Sequence, residues 1–297
     1  SIDRGEVLGL VGESGCGKSL TSMCLVDLLP SSAKAGGEIR FEGNEYPAGS
    51  TRLRSLRGSS IGMIFQEPMT ALNPVYTVGE QLAETLTYLR DWNDQQRIRR
   101  ESIRLLERVH LDHPKRRLDS YPHELSGGQR QRAMIALSLA GDPDLLIADE
   151  PTTALDVTLE AGIIRLFEEL SDDGLGILLI SHDLGLIADV SDRISVMYSG
   201  FTVETGPAET MIEQPQHPYT RGLVAASTTL SSASRDRLPV IPGDVPDPTH
   251  RPGGCPFHPR CEEREQRCED EFPDVFQPIS ALETSCWARE SGSYHHE

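Results

Sequence analysis

Two stretches carry residues whose types and spacing can bind and cleave a phosphoanhydride. Gly12-Glu13-Ser14-Gly15-Cys16-Gly17-Lys18-Ser19 matches G-x-x-x-x-G-K-[ST]. An apolar run at residues 6–11 precedes it and reads as a buried strand. A helical pattern over residues 20–29, stopped by Pro30, follows. Glycines let backbone N–H groups converge on phosphate oxygens, and the helix N-terminus adds partial positive charge. The expected nucleotide-binding set is Gly12, Ser14, Gly15, Cys16, Gly17, Lys18, Ser19 and Leu20. Within it Lys18 reaches the β- and γ-phosphates and the Ser19 hydroxyl ligates Mg²⁺. The second stretch, Leu145-Leu146-Ile147-Ala148-Asp149-Glu150, is an apolar strand ending in two acids. Asp149 is placed to hold Mg²⁺, and Glu150 to polarise an attacking water as general base. Adjacent acids are common on surfaces. It is the strand end downstream of a phosphate loop that gives this pair a role.

The elements that position these groups follow from the apolar pattern. From residue 6 to about 226, short apolar runs alternate with helical patterns, as in an α/β layer fold. Between the two stretches lies Leu125-Ser126-Gly127-Gly128-Gln129-Arg130-Gln131-Arg132. Ser126 and the Gly127–Gly128 amides can open a helix over residues 129–139 with its positive end toward an anion. Gln66 follows a strand-like run at 61–65, Ala154-Leu155-Asp156 follows the acidic pair, and His182 follows a strand-like run at 176–181. Any one of these residues alone is as readily structural.

In this order the set resembles the ATP-binding-cassette (ABC) ATPases. The resemblance implies an α/β, P-loop NTPase (ABC-type) nucleotide-binding domain at residues 1–235, with an inserted helical subdomain at about 67–140. It implies ATP and Mg²⁺ as cofactors. Glu150, His182 and Gln66 take the catalytic roles, and Gln66 joins Ser19 and Asp149 at Mg²⁺. It further implies a head-to-tail dimer of ATPase subunits in which Ser126, Gly127, Gly128 and Gln129 of one meet the γ-phosphate bound by the other. Asp156 lies in the same interface. Closure on ATP would drive an attached permease, received by the segment at 67–81. The family also has an extra strand bearing an aromatic residue against adenine. The sequence begins at Ser1, so no adenine-stacking residue is assigned.

Composition changes after residue 226. Residues 227–234 are small and polar, residues 239–259 hold seven prolines, and four of the six cysteines follow Pro252. Such a segment forms neither regular helix nor central strand, so a second domain, 236–297, is expected with little core of its own. Cys255, Cys261, Cys268 and Cys286 are spaced C-x₅-C-x₆-C-x₁₇-C. Disulfides are disfavoured in a cytosolic chain, and four thiolates without a core suggest a metal-organised fold. Zinc usually has tighter C-x₂₋₄-C pairs. A wide, irregular set also suits a [4Fe–4S] cluster, and unliganded cysteines are the third reading. Cys16 and Cys24 read as small buried residues, His258 as structural in preference to a further ligand, and His295 and His296 as a tail.

Three further stretches are similar to the dipeptide/oligopeptide importer branch of the family. They are residues 65–74 (Phe-Gln-Glu-Pro-Met-Thr-Ala-Leu-Asn-Pro), Gln216-His217-Pro218-Tyr219-Thr220, and Ile241-Pro242-Gly243 leading to Gly254-Cys255-Pro256-Phe257-His258-Pro259-Arg260-Cys261. Members with this C-terminal module are similar in carrying a [4Fe–4S] cluster. The branch implies a peripheral subunit at the cytoplasmic face of the membrane. Its partners are two transmembrane permease subunits, a second ABC ATPase and an extracytoplasmic substrate-binding protein. Close relatives handle nickel or another small solute, which stays open beside peptides.

With 46 acidic against 28 basic residues, the net charge is −18. This disfavours nucleic acid as a partner and with it a soluble, non-transport ABC ATPase acting on DNA or ribosomes. The basic cluster at 97–100, with Arg104 and residues 115–117, reads as a solvated helix face. Only three lysines occur, Lys18, Lys34 and Lys115; an acidic, lysine-poor surface also suits high salt. No apolar run approaches the roughly 18 residues of a membrane-spanning helix, and no signal peptide is evident at the start.

Overall fold

Each apolar run beside a chemistry-bearing residue forms a strand. In chain order the main elements are β1 (Val7–Val11), α1 (Lys18–Leu25), the hairpin β2 (Glu38–Phe41) and β3 (Asn44–Pro47), and β4 (Ile61–Ile64). Then come α2 (Val78–Arg90), α3 (Gln95–Arg108), α4 (Gly127–Ser138), β5 (Leu145–Asp149), α5 (Val157–Asp172) and β6 (Gly176–Ser181). The chain continues through α6 (Leu184–Val190), β7 (Arg193–Tyr198), β8 (Phe201–Pro207), α7 (Pro218–Leu230), β9 (Phe276–Ile279) and β10 (Leu282–Thr284). This computed structural model describes residues 1–66, 71–153, 155–230, 241–247 and 250–290. Positions 67–70, Ala154, the expected boundary at 235, Pro239, Pro248, His295 and His296 lie outside the described residues.

The chain divides into two compact units, Ser1–Glu6 with Ser19–Leu178, and Val7–Lys18 with Leu179–Glu297. In the first, β4 and β5 pair in parallel, Ile61 opposite Leu145 through Ile64 opposite Ala148. The three helices α2, α3 and α4 lie between these strands in sequence. Each begins at a side-chain cap that satisfies its free N–H groups. Thr77 and Glu80 form a capping box, Asp94 accepts from the N–H groups of Gln96 and Arg97, and Ser126 and Gln129 form a second box. One face of α3 is buried at Ile98, Ser102, Leu105 and Leu106, the i, i+4, i+7, i+8 stripe of a helix packed on one side. Arg97, Arg99, Arg100 and Arg104 on the other faces are exposed.

In the second unit β1 and β7 pair in parallel, Leu8 opposite Arg193 through Val11 opposite Val196. A hairpin returns the chain along β8, and β10 and then β9 add to β8's other side, antiparallel. Phe257, Leu282 and Trp287 of the C-terminal segment are buried. Phe257 packs on Tyr198, His217 and Tyr219, and Leu282 lies against Gly206 of β8, so both side chains use earlier parts of the chain. The sequence hides this because the apolar residues are single and scattered among prolines and charges. No helix among the described residues is long and apolar enough to cross a membrane.

Candidate functional site

In the second unit, β1 ends at Val11 and the chain turns through residues 12–17 before Lys18 opens α1. Gly12 is required sterically: a Cβ there would lie 2.2 Å from the Met197 carbonyl oxygen and 2.8 Å from the Cys16 sulfur. Gly17, at φ 107°, occupies backbone space that L-side chains avoid. Lys18 is buried, and its Nζ donates to the carbonyls of Gly12 (2.7 Å) and Glu13 (3.3 Å). Carbonyl dipoles hold the ammonium within the loop, and charged phosphate oxygens are stronger acceptors than they are. Cys16 is buried, and burial raises its thiol above the ordinary range against the pull of Lys18. Cys24, expected to be buried, is only half so. Ser14 and Gly15 are exposed on the loop's open side, Ser19 is half-buried and Leu20 is exposed.

Two groups that the sequence did not single out as site residues fasten this loop. The Glu13 N–H donates to Tyr219 Oη at 2.9 Å. The Glu13 carboxylate accepts from both terminal nitrogens of Arg260, at 2.7 and 3.1 Å. Burial opposes the Arg260 charge, but Glu13 and Tyr198 more than offset it, and its pKa is raised. His182 is exposed just past β6, ahead of α6, where Asp183 caps the helix by accepting from Gly185 and Leu186.

In the first unit, β5 delivers Asp149, nearly fully buried, as its last residue. Glu150 follows with φ 47°, a left-handed conformation rarely tolerated outside glycine. Gln66 Nε2 and Thr153 Oγ1 both donate to Glu150 Oε2, each at 3.1 Å. The glutamine and the acid, 84 positions apart in the chain, are thus brought into direct contact. The buried Gln131 of α4 donates to the Pro151 carbonyl at 2.6 Å, tying that helix to the turn after β5.

Ser126, Gly127, Gly128 and Gln129 lie at the head of α4. The helix starts at Gly127, two residues before the expected Gln129, because the Ser126–Gln129 box supplies the cap. Gly128 packs so closely that a Cβ would approach Leu159 to 2.9 Å, whereas Ser126 is exposed. Asp156 caps α5, accepting from the Leu159 N–H at 2.9 Å.

All four C-terminal cysteines line one small cavity of about 20 Å³, closed by His217, Phe257 and Trp287. None is in a disulfide. Burial pushes the thiols of Cys255, Cys261 and Cys286 up to about 11. Gly254, at φ 60°, lets the chain pass close to Cys268, whose carbonyl would be 2.4 Å from a Cβ there. His258 bonds through Nδ1 to the Cys255 carbonyl at 2.9 Å. Against the expected metal site, no group of three or more His, Cys, Asp or Glu among the described residues is arranged to hold a metal ion.

Comparison with known proteins agrees with this arrangement. The profile of the family described as "ABC transporter" matches residues 1–153, and that described as "oligopeptide/dipeptide transporter, C-terminal region" matches residues 203–268. A peptide import ATP-binding protein of Brucella abortus is 48% identical over 280 residues, 93% of this chain and 82% of that protein. The dipeptide transport ATP-binding protein DppD of Bacillus subtilis is 43% identical over 296 residues, 98% of this chain and 88% of that protein. Among solved structures, the dimeric ATP-binding cassette MJ0796, bound to ADP and Pi in a post-hydrolysis state, aligns with a TM-score of 0.60 and 27% identity. That alignment covers 70% of this chain and 88% of that one. The chain belongs to the ABC transporter ATPases, in the branch of dipeptide and oligopeptide import ATP-binding subunits.

Proposed function

We propose that this subunit hydrolyses ATP through Glu150 to power uptake of di- and oligopeptides. It works at the cytoplasmic face of the membrane, beside two permease subunits, a second ABC ATPase and an extracytoplasmic binding protein. The observation that carries the reading is the Gln66–Glu150 hydrogen bond at the end of β5, on a backbone held left-handed. A strained, hydrogen-bonded acid past a strand end is what a general base requires: fixed direction, and an oxygen able to take a proton.

The loop amides and Lys18 bind the phosphates. Glu150 takes the proton of the attacking water, with Gln66 orienting the carboxylate, and His182 donates to the γ-phosphate. Ser19, Asp149 and Gln66 are the groups that would hold Mg²⁺, whose charge offsets that of the phosphates when bound. Ser126, Gly127, Gly128 and Gln129 present the head of α4 to nucleotide on the opposite subunit, and Asp156 shapes the same interface. The peptide assignment rests on relatives named for peptide and dipeptide import.

The four cysteines suit a [4Fe–4S] cluster better than zinc. Zinc usually binds through tighter C-x₂₋₄-C pairs, whereas these four are spaced C-x₅-C-x₆-C-x₁₇-C. A cubane takes one thiolate at each of four separated corners, consistent with four cysteines around one cavity. When bound, the cluster supplies a cross-link between turns.

The test is Glu150→Gln in membranes containing the permease. ATP hydrolysis and uptake of a labelled dipeptide should fall at least about 100-fold while ATP binding persists. Hydrolysis above a tenth of wild type would remove Glu150 from its role. Uptake of labelled nickel in place of dipeptide would reassign the cargo.

A further inference from the structure

We propose that Arg260 is a positioning residue for the phosphate loop, acting by holding and neutralising Glu13. The affinity for nucleotide then depends on the fold of the four-cysteine segment.

Glu13 puts a carboxylate into a loop whose task is to bind a polyanion. Left unpaired, it would repel the phosphates that the loop amides and Lys18 attract. Arg260 removes that conflict. Its guanidinium side chain is only 4% exposed and grips the Glu13 carboxylate in a two-pronged pair. The other donors are also engaged: Nε with the Pro242 carbonyl at 2.8 Å, Nη2 with the Ile241 carbonyl at 3.3 Å, and Nη1 with Tyr198 Oη at 3.3 Å. Five contacts use five N–H groups, which fixes the plane of the fork. Tyr219 holds the same residue by its backbone N–H. The rings of Tyr198, Tyr219 and Phe257 pack on one another with centroids 4.6 to 5.4 Å apart, so both anchors share one rigid aromatic base.

The anchor belongs to the cysteine segment. Arg260 ends a tight turn, His258–Arg260, between Cys255 and Cys261. Its N–H donates to the Phe257 carbonyl at 2.9 Å, and the Cys261 N–H donates to the His258 carbonyl at 3.2 Å. Whatever loosens that turn moves the guanidinium and frees the Glu13 carboxylate beside the phosphates. The pair spans 247 positions of sequence, which makes it a long-range tie from the segment to the nucleotide-binding loop.

The experiment compares Arg260→Met, which keeps the stem but not the charge, with Glu13→Gln and with the double variant. The full chain is used, and Kd for a fluorescent ATP analogue is measured beside KM and kcat. Arg260→Met should weaken binding about tenfold, by stranding Glu13, and raise KM more than it lowers kcat. Adding Glu13→Gln should restore most of the affinity, because the stranded charge is gone. A purely structural arginine gives no such rescue, so a double variant that binds no better than Arg260→Met overturns the proposal. An unchanged Kd in Arg260→Met does so as well. Should that variant not fold, Arg260→Gln, with and without Glu13→Gln, carries the same comparison, because its amide removes the charge but keeps hydrogen-bonding capacity.

Discussion

Glu150 illustrates how much of the site one residue's surroundings decide. Its type and place after an apolar run were legible in the sequence, and so was Gln66 as a neighbouring element. Their hydrogen bond and the left-handed backbone were not, because both depend on how β4 and β5 pair in the fold. That backbone makes a prediction possible. Glu150→Gly removes the exposed hydrogen bonds from Gln66 and Thr153 but relieves a conformation costing about 1–2 kcal/mol. Unfolding stability, read by urea titration, should therefore stay within about 1 kcal/mol of wild type although hydrolysis is lost. A larger loss would mean that the Gln66 and Thr153 contacts hold the turn. Gly17→Ala is expected to behave oppositely. The loop must then strain at φ 107°, so nucleotide affinity falls at least tenfold with little effect on the rest of the fold.

At the scale of elements, caps and buried polar groups set where helices begin and how they respond to pH. The sequence pattern places the start of α4 two residues late because glycines read as loop, whereas the Ser126–Gln129 box draws them into the helix. Ser126→Ala should cost about 1 kcal/mol in denaturant stability, apart from any effect on nucleotide. At the entry to α7, the buried Glu204 of β8 accepts from the N–H groups of Gln216 (2.6 Å) and His217 (3.1 Å). Burial raises this carboxyl from 4.5 to about 7 and lowers the neighbouring His217 from 6.5 to about 3. The two work in opposite senses. A raised acid favours folding below its unfolded value, and that contribution is lost as pH rises through 4.5 to about 7. A depressed histidine favours folding above 6.5, and its contribution is lost as pH falls toward 3. Glu204→Gln removes only the first. Its stability relative to wild type should improve by about 3 kcal/mol between pH 4.5 and 7. Urea midpoints measured across that range check this, and a flat difference would place the Glu204 carboxyl at its ordinary value.

For the molecule as a whole, the local chemistry was legible and the long-range ties were not. The phosphate loop and the acidic strand end announce themselves within eight residues each. Nothing near Glu13 in the sequence points to Arg260, and nothing near Phe257 says that a proline-rich segment buries it against Tyr198 and Tyr219. The cysteines lie between these cases: their count was informative, and their shared cavity needed the fold. Anaerobic purification should yield a brown protein with iron and sulfide near four per chain. Colourless protein containing zinc would replace the cluster with a single ion. The strands β10 and β9 have a separate consequence. They cover the side of β8 that β7 leaves open, with Glu283 opposite Thr205 and the Ser285 N–H donating to the Val203 carbonyl at 2.8 Å. An uncovered strand offers a row of unmet backbone groups to any other chain. Removing residues 250–297 should therefore increase self-association with rising concentration relative to the full chain, as light scattering would report.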